Sequence, residues 1–235
     1  MCIRDSSNGG LVAKQLMVEL KKKNLDTLID TIIFVAMPEY GTPQAITSLL
    51  YGHEQSIAGG FILSSFIAKQ LGVNMPTAYT LLPSQKYFQS AQSISIGRES
   101  VTNKSLLNVR LNQKGIINNN LLHKADQFHQ YIDDWIPPES VYVYQIVGTG
   151  LLTVSGFVDT SDNTPVPTYT TTGDGVVQDM YDRGSFEYAR TGHTVAVDLH
   201  NTTYTHMNIM NTPDVMTYID TVSYTHLRAH ETEAD

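Results

Sequence analysis

Ser7-Asn8-Gly9-Gly10, followed at once by Leu11, Val12, Leu16, Met17 and Leu20, is the stretch on which the fold turns. Apolar residues at these spacings keep the helical period, and Lys21, Lys22 and Lys23 supply the basic last turn that suits the negative end of a helix. A helix opening directly on a serine and two glycines is the second half of the pattern G-x-S-x-G. That pattern is a sharp strand-to-helix turn, in which small residues let backbone atoms crowd together while the serine hydroxyl stays exposed. The other reading of Ser7 is an ordinary helix N-cap. Asp5 and Ser6 stand where the pattern has its first Gly and the residue after it.

Working outward, Ile29 and then Ile32 to Ala36 form a nearly continuous apolar run closed by Pro38, as expected of a buried parallel strand. Val141 to Val147 reads as a second core strand and Thr194 to Leu199 as a third, while Thr212 to Ile219 reads as a last helix with Pro213 in its first turn. Between Gly52 and about Pro137 the pattern loosens. One apolar helical stretch runs from Ile57 to Leu71, and a stretch rich in Asn, Gln and Ser runs from Gln89 to Asn120. This span reads as an inserted cap. The rhythm predicts an α/β fold with a mostly parallel sheet, and no strand is expected ahead of Ser7.

Both ends read as foreign. Met1 to Ser6 and the tail from Val222 to Thr232 resemble translations of the adapter that transposase-based library preparation joins to DNA, with Thr232 to Asp235 as an index. The expected organisation is therefore adapter at 1–6, core at 7–51, cap at 52–140, core at 141–220 and adapter at 221–235. On this reading the natural segment, about 210 residues and one domain's worth, is a fragment of a longer protein of environmental origin. The chain carries a net charge of -8; setting aside Arg4, Arg228, Asp5, Glu231, Glu233 and Asp235 leaves 13 basic and 19 acidic residues, a net -6. That balance argues against a nucleic-acid partner, which needs a clustered basic surface. Cys2 is the single cysteine, so the segment from Ser7 onward carries no thiol chemistry and leaves the compartment open.

Four further motifs follow in order. Ala36-Met37-Pro38-Glu39-Tyr40-Gly41-Thr42-Pro43 sets a proline and a Gly-Thr-Pro turn after the first strand. Asn74-Met75-Pro76-Thr77-Ala78-Tyr79 lies in the cap. Trp135-Ile136-Pro137-Pro138 leads into the second strand and Gly148-Thr149-Gly150, and Thr172-Gly173-Asp174-Gly175-Val176-Val177 forms a glycine-flanked acidic loop. Together with Ser7 these resemble the lecithin:cholesterol acyltransferase family of α/β-hydrolases over most of Ser7 to Ile219. The chain departs from that family in a missing His-Ser pair, in Val176 where the family has Thr, and in Gln178 where it has Pro. The resemblance implies an α/β-hydrolase fold, a catalytic triad and a lipid ester substrate.

The chemistry asks for an acid that holds an imidazole in one tautomer, and Asp174 on its tight loop suits that role. The competing readings are an Asp-Gly hairpin turn, or an acid at Asp159 or Asp162. The fold orders its triad Ser, Asp, His along the chain, leaving His193, His200 and His206; His206, between the third strand and the last helix, is the expected base. Asn8 would give its backbone N-H to the oxyanion, and the second donor is expected from a loop upstream of Ser7, so the chain by itself is expected to be inactive and partly folded. Glu39 and the pair Asp133-Asp134 read as solvated surface without metal-ligand spacing, and Gly148-Thr149-Gly150 is no phosphate loop. No cofactor or metal is expected. The expected partner is a lipid or other ester, with transient contact to a lipid interface through the cap. The alternatives are a catalytically inactive lipid- or partner-binding protein, and a thioesterase or peptidase with the same triad.

Overall fold

The structure, a computed structural model, describes residues 2–52, 64–90, 93–115, 117–159, 165–179 and 194–232. Its first sheet is built from strands β1 (Cys2–Ser6), β2 (Thr31–Val35), β5 (Tyr142–Thr149) and β8 (Thr194–Asp198), in the order β1-β2-β5-β8 and parallel throughout. Every residue of β2, TIIFV, is buried, as a central strand covered on both faces requires. Ile32 and Phe34 pack to one side with Leu11 and Met17 of helix α1 (Asn8–Lys22), while Ile33 and Val35 pack to the other with Val215, Ile219 and Val222 of helix α8 (Pro213–Thr232). Each such aliphatic or aromatic side chain contributes about 1.5–3 kcal/mol on full burial.

Strand β1 was not expected. Cys2 to Ser6 pairs with Thr31 to Val35 in parallel register and leads straight into Ser7, and Ile3 packs against the core beneath α1. The last helix also outruns its expected end at Ile219, continuing to Thr232. No helix among the described residues is long and apolar enough to cross a membrane.

The span between β2 and β5 is mostly helical: α2 (Pro43–Tyr51), α3 (Ser65–Val73), α4 (Pro76–Thr80), α5 (Gln85–Ser90), α6 (Lys104–Lys114) and α7 (Asn119–Ile132). Of the apolar stretch expected from Ile57 to Leu71, residues 57–63 lie outside the described residues, and the remainder falls in α3 after its N-cap Ser64. The span also holds two short strands, β3 (Ile94–Ile96) and β4 (Glu99–Val101). These join β6 (Thr153–Asp159) and β7 (Pro165–Thr170) in a second sheet ordered β4-β3-β6-β7. Ile46, Leu49 and Leu50 of α2, Tyr79 of α4, Leu107 and Leu111 of α6, Leu122 of α7 and Phe157 of β6 form one buried cluster. The region read as a cap therefore shares its core with α2 and with the strand that follows β5.

Candidate active site

The turn after β1, the loop after β8 and the Asp174 loop, which follows β7 of the second sheet, meet at one point at the carboxyl side of the parallel sheet, where ligands bind in open parallel sheets. The first is the turn from β1 into α1. Ser7 sits there at φ 51° and ψ −132°, a strained conformation for a residue with a Cβ, costing about 1–3 kcal/mol. Its N-H donates to the Val35 carbonyl at 2.9 Å, and its own carbonyl accepts from Gly10 N-H at 3.1 Å. The Ser7 side chain makes no capping bond to α1, so it is not serving as an N-cap; its Oγ lies 2.8 Å from His206 Nε2. Gly9 allows the turn to close, because a Cβ there would overlap the carboxylate of Asp5, whose Oδ1 accepts from Ser6 N-H at 2.8 Å.

Asp174 is 1 % exposed. Its Oδ1 accepts from the N-H groups of Val176 at 3.0 Å and Val177 at 2.8 Å, and its Oδ2 lies 2.7 Å from His206 Nδ1. Gly175 permits this curl by taking φ 97°. The Asp174 carbonyl accepts from His206 N-H at 2.9 Å, so backbone and side chain together fix the histidine. His206 opens a 3-10 helix (His206–Asn211) behind Thr205, which is capped reciprocally with Asn208, and it is buried. Because a carboxylate only accepts, Nδ1 carries hydrogen, leaving Nε2 with the lone pair that faces the Ser7 hydroxyl.

The loop after β2 touches both of these elements. Glu39 Oε1 pairs with Lys14 Nζ of α1 at 2.8 Å, with both side chains buried. Glu39 is thus not solvated surface, since Pro38 turns the chain inward beneath α1. Lys14 gave the signal: it occupies the same helix face as Leu11 and Met17, and a lysine on an apolar stripe needs a partner. Asp133 is likewise buried, its Oδ1 2.7 Å from His129 Nδ1, while His129 Nε2 lies 2.8 Å from the Thr80 carbonyl. Asp134, ion-paired with Lys86 at 2.7 Å, is exposed as expected. Thr42, whose turn motif in the sequence carries no sign of a distant partner, donates from Oγ1 to the Val176 carbonyl at 2.7 Å.

Among the competing candidates, His200 is exposed and its backbone N-H donates to Asp198 Oδ1. Asp159 ends β6, whereas Asp162 and His193 lie outside the described residues. Asn8 is the first residue of α1, so its N-H has no partner within the helix. No group of three His, Cys, Asp or Glu side chains among the described residues could hold a metal ion.

The lecithin:cholesterol acyltransferase family model matches residues 2–136, more than half of the chain. The stretch takes in Ser7, the Glu39 loop and the helices up to α7; Asp174 and His206 lie beyond it. No curated protein matches the sequence. Among solved structures, a chain in the crystal structure of the Tle4-Tli4 complex superimposes with a TM-score of 0.58 at 13% identity, over 90% of this chain and 56% of that one. The present chain thus spans little more than half the length of that structural relative. A parallel sheet covered on both faces, with a strand-to-helix turn at its carboxyl edge, is the α/β-hydrolase fold, and the chain belongs to the lecithin:cholesterol acyltransferase family.

Proposed function

We propose that the protein is a serine-dependent lipid ester hydrolase or acyltransferase, with Ser7 as nucleophile, His206 as base and Asp174 as the acid that orients it. The observation that carries this reading is the position of His206, whose two ring nitrogens lie 2.7 Å from Asp174 Oδ2 and 2.8 Å from Ser7 Oγ. In the proposed reaction His206 Nε2 takes the Ser7 hydroxyl proton as Oγ attacks the ester carbonyl. The imidazolium, held by Asp174, then returns that proton to the leaving alkoxide. Water or an acceptor alcohol repeats the sequence on the acyl-serine. The Asn8 N-H, at the positive end of α1, suits the oxyanion. The family supports a lipid ester as substrate; residues 52–140 are assigned, as part of this proposal, to a cap over the acyl group.

A second reading is a lipid- or partner-binding protein without turnover. Labelling with a fluorophosphonate probe, followed by intact-mass measurement and peptide mapping, separates the two. The enzyme reading expects one adduct, on Ser7, that is lost in Ser7→Ala. Absence of an adduct from the folded full-length protein, or an adduct on another serine, overturns it.

A further inference from the structure

The Val176-Val177 peptide is engaged at both of its ends. Its N-H, from Val177, makes the shorter of the two bonds to Asp174 Oδ1, at 2.8 Å, and its carbonyl, from Val176, accepts from Thr42 Oγ1 at 2.7 Å. In a planar trans peptide the C=O and N-H point in opposite directions, so a donor that holds the carbonyl also aims the N-H. A hydrogen bond accepted at the carbonyl further polarises the peptide and strengthens its N-H as a donor. Thr42 is itself oriented: it is buried, and as the N-cap of α2 its Oγ1 faces Gln44 N-H at 3.4 Å, which directs the single hydroxyl hydrogen toward Val176. Its backbone N-H donates to the Leu81 carbonyl at 2.9 Å, and Glu39, three residues earlier, is ion-paired to Lys14 of α1, the helix that follows Ser7.

We infer that Thr42 is the positioning residue of the acid loop, with its hydroxyl aiming the Val176-Val177 peptide so that Asp174 presents Oδ2 to His206. The loop from Glu39 to Thr42 then acts as a strut that fixes the spacing between the serine's helix and the acid. This rests on the triad proposed above. Thr42 touches neither serine nor histidine; it acts on the carboxylate through one peptide. Nothing in residue type alone advertises this role, because Thr42 reads from sequence as part of a Gly-Thr-Pro turn.

The test compares wild type, Thr42→Val and Thr42→Ser in the full-length protein. Valine keeps the shape and removes the hydroxyl, whereas serine keeps the hydroxyl and the cap. Thr42→Val is expected to lower kcat roughly 10-fold with KM within about twofold, and Thr42→Ser to restore kcat to within about twofold. The downfield proton resonance of His206 Nδ1-H provides a readout on the folded protein that a loss of stability does not imitate. It should shift upfield or broaden in Thr42→Val and return in Thr42→Ser. If the resonance and kcat are unchanged in Thr42→Val, or if Thr42→Ser is as damaged as Thr42→Val, the inference is overturned. Failure of the triad itself would show separately, as full activity in Ser7→Ala.

Discussion

Ser7 and His206 stand 199 positions apart in the chain, yet Oγ and Nε2 approach to 2.8 Å, and no sequence-local element joins them. The contact exists because β1 and β8 deliver their carboxyl ends to the same side of one parallel sheet. Altering either member of the Asp174-His206 pair therefore has a defined outcome. Asp174→Asn and His206→Ala should each lower kcat for a short-chain ester by roughly three to four decades, with unfolding midpoints that show the protein remains folded. His200→Ala should leave the rate within about twofold; the opposite ranking of the two histidine variants would move the base to His200.

In this chain Asp5, one of the residues read as foreign, crowds the turn from the upstream side, where its carboxylate lies against Gly9. Asp5→Gly should raise the rate of fluorophosphonate labelling at Ser7 on the order of 10-fold, by withdrawing a negative charge from the neighbourhood of the oxyanion. The comparison is one of pseudo-first-order labelling rates at fixed probe concentration. An unchanged or slower rate would mean that Asp5 does not oppose the reaction.

Lys14 and Glu39 illustrate a buried pair that is costly to split. Lys14→Met leaves a carboxylate inside the protein, and Glu39→Leu leaves an ammonium, so each should cost about 3–5 kcal/mol in urea unfolding. The double variant should recover most of that loss, because two apolar side chains can fill the same space without an uncompensated charge. Additive losses would indicate that the two groups do not act as a pair.

Lys104 links stability to pH. Its Nζ donates to the Pro83 carbonyl at 3.0 Å and faces Asp126 at 3.1 Å, and burial pulls its pKa below the ordinary 10.5, opposed by Asp126 and Asp133. Between the depressed value and 10.5 the unfolded chain holds a proton that the folded chain has released. Stability from this group therefore rises with pH across that window and levels off above it. Burial shifts Tyr79, Tyr144 and Tyr218 upward, which gives the opposite slope above their ordinary 10.0, so the difference between wild type and Lys104→Met isolates the lysine. Urea midpoints from about pH 8 to about pH 10.5 should climb more steeply in wild type.

The sequence carried the parallel core well where apolar runs were long. Ile32 to Val35 reads as a covered strand, and the structure covers it on both faces. Ser7, Asp174 and His206 were brought together on paper by flanking glycines and chain order, and they lie within hydrogen-bond distance in the structure; their roles rest on the variants above. What stayed hidden depended on distant partners. Ile94-Ser95-Ile96 is too short to declare itself a strand and becomes one only by pairing with Glu99 to Val101 and with β6. Glu39 looked like surface because its partner lies 25 residues upstream. Thr42 was silent because it acts on a backbone carbonyl, which has no identity in sequence.

The span from Ser64 to Ile132 is stitched to the rest of the molecule by Ser84 N-H on the Tyr40 carbonyl, by Tyr87 Oη on Gln178 Oε1 at 2.6 Å, and by a buried cluster in which α2 and Phe157 take part. A segment anchored in this way cannot swing open as a rigid flap without exposing its own hydrophobic interior. Hydrogen exchange should therefore find the amides of α4 and α7 opening with the whole domain rather than ahead of it, and in the proposed reaction substrate would come and go through the movement of individual side chains and loops.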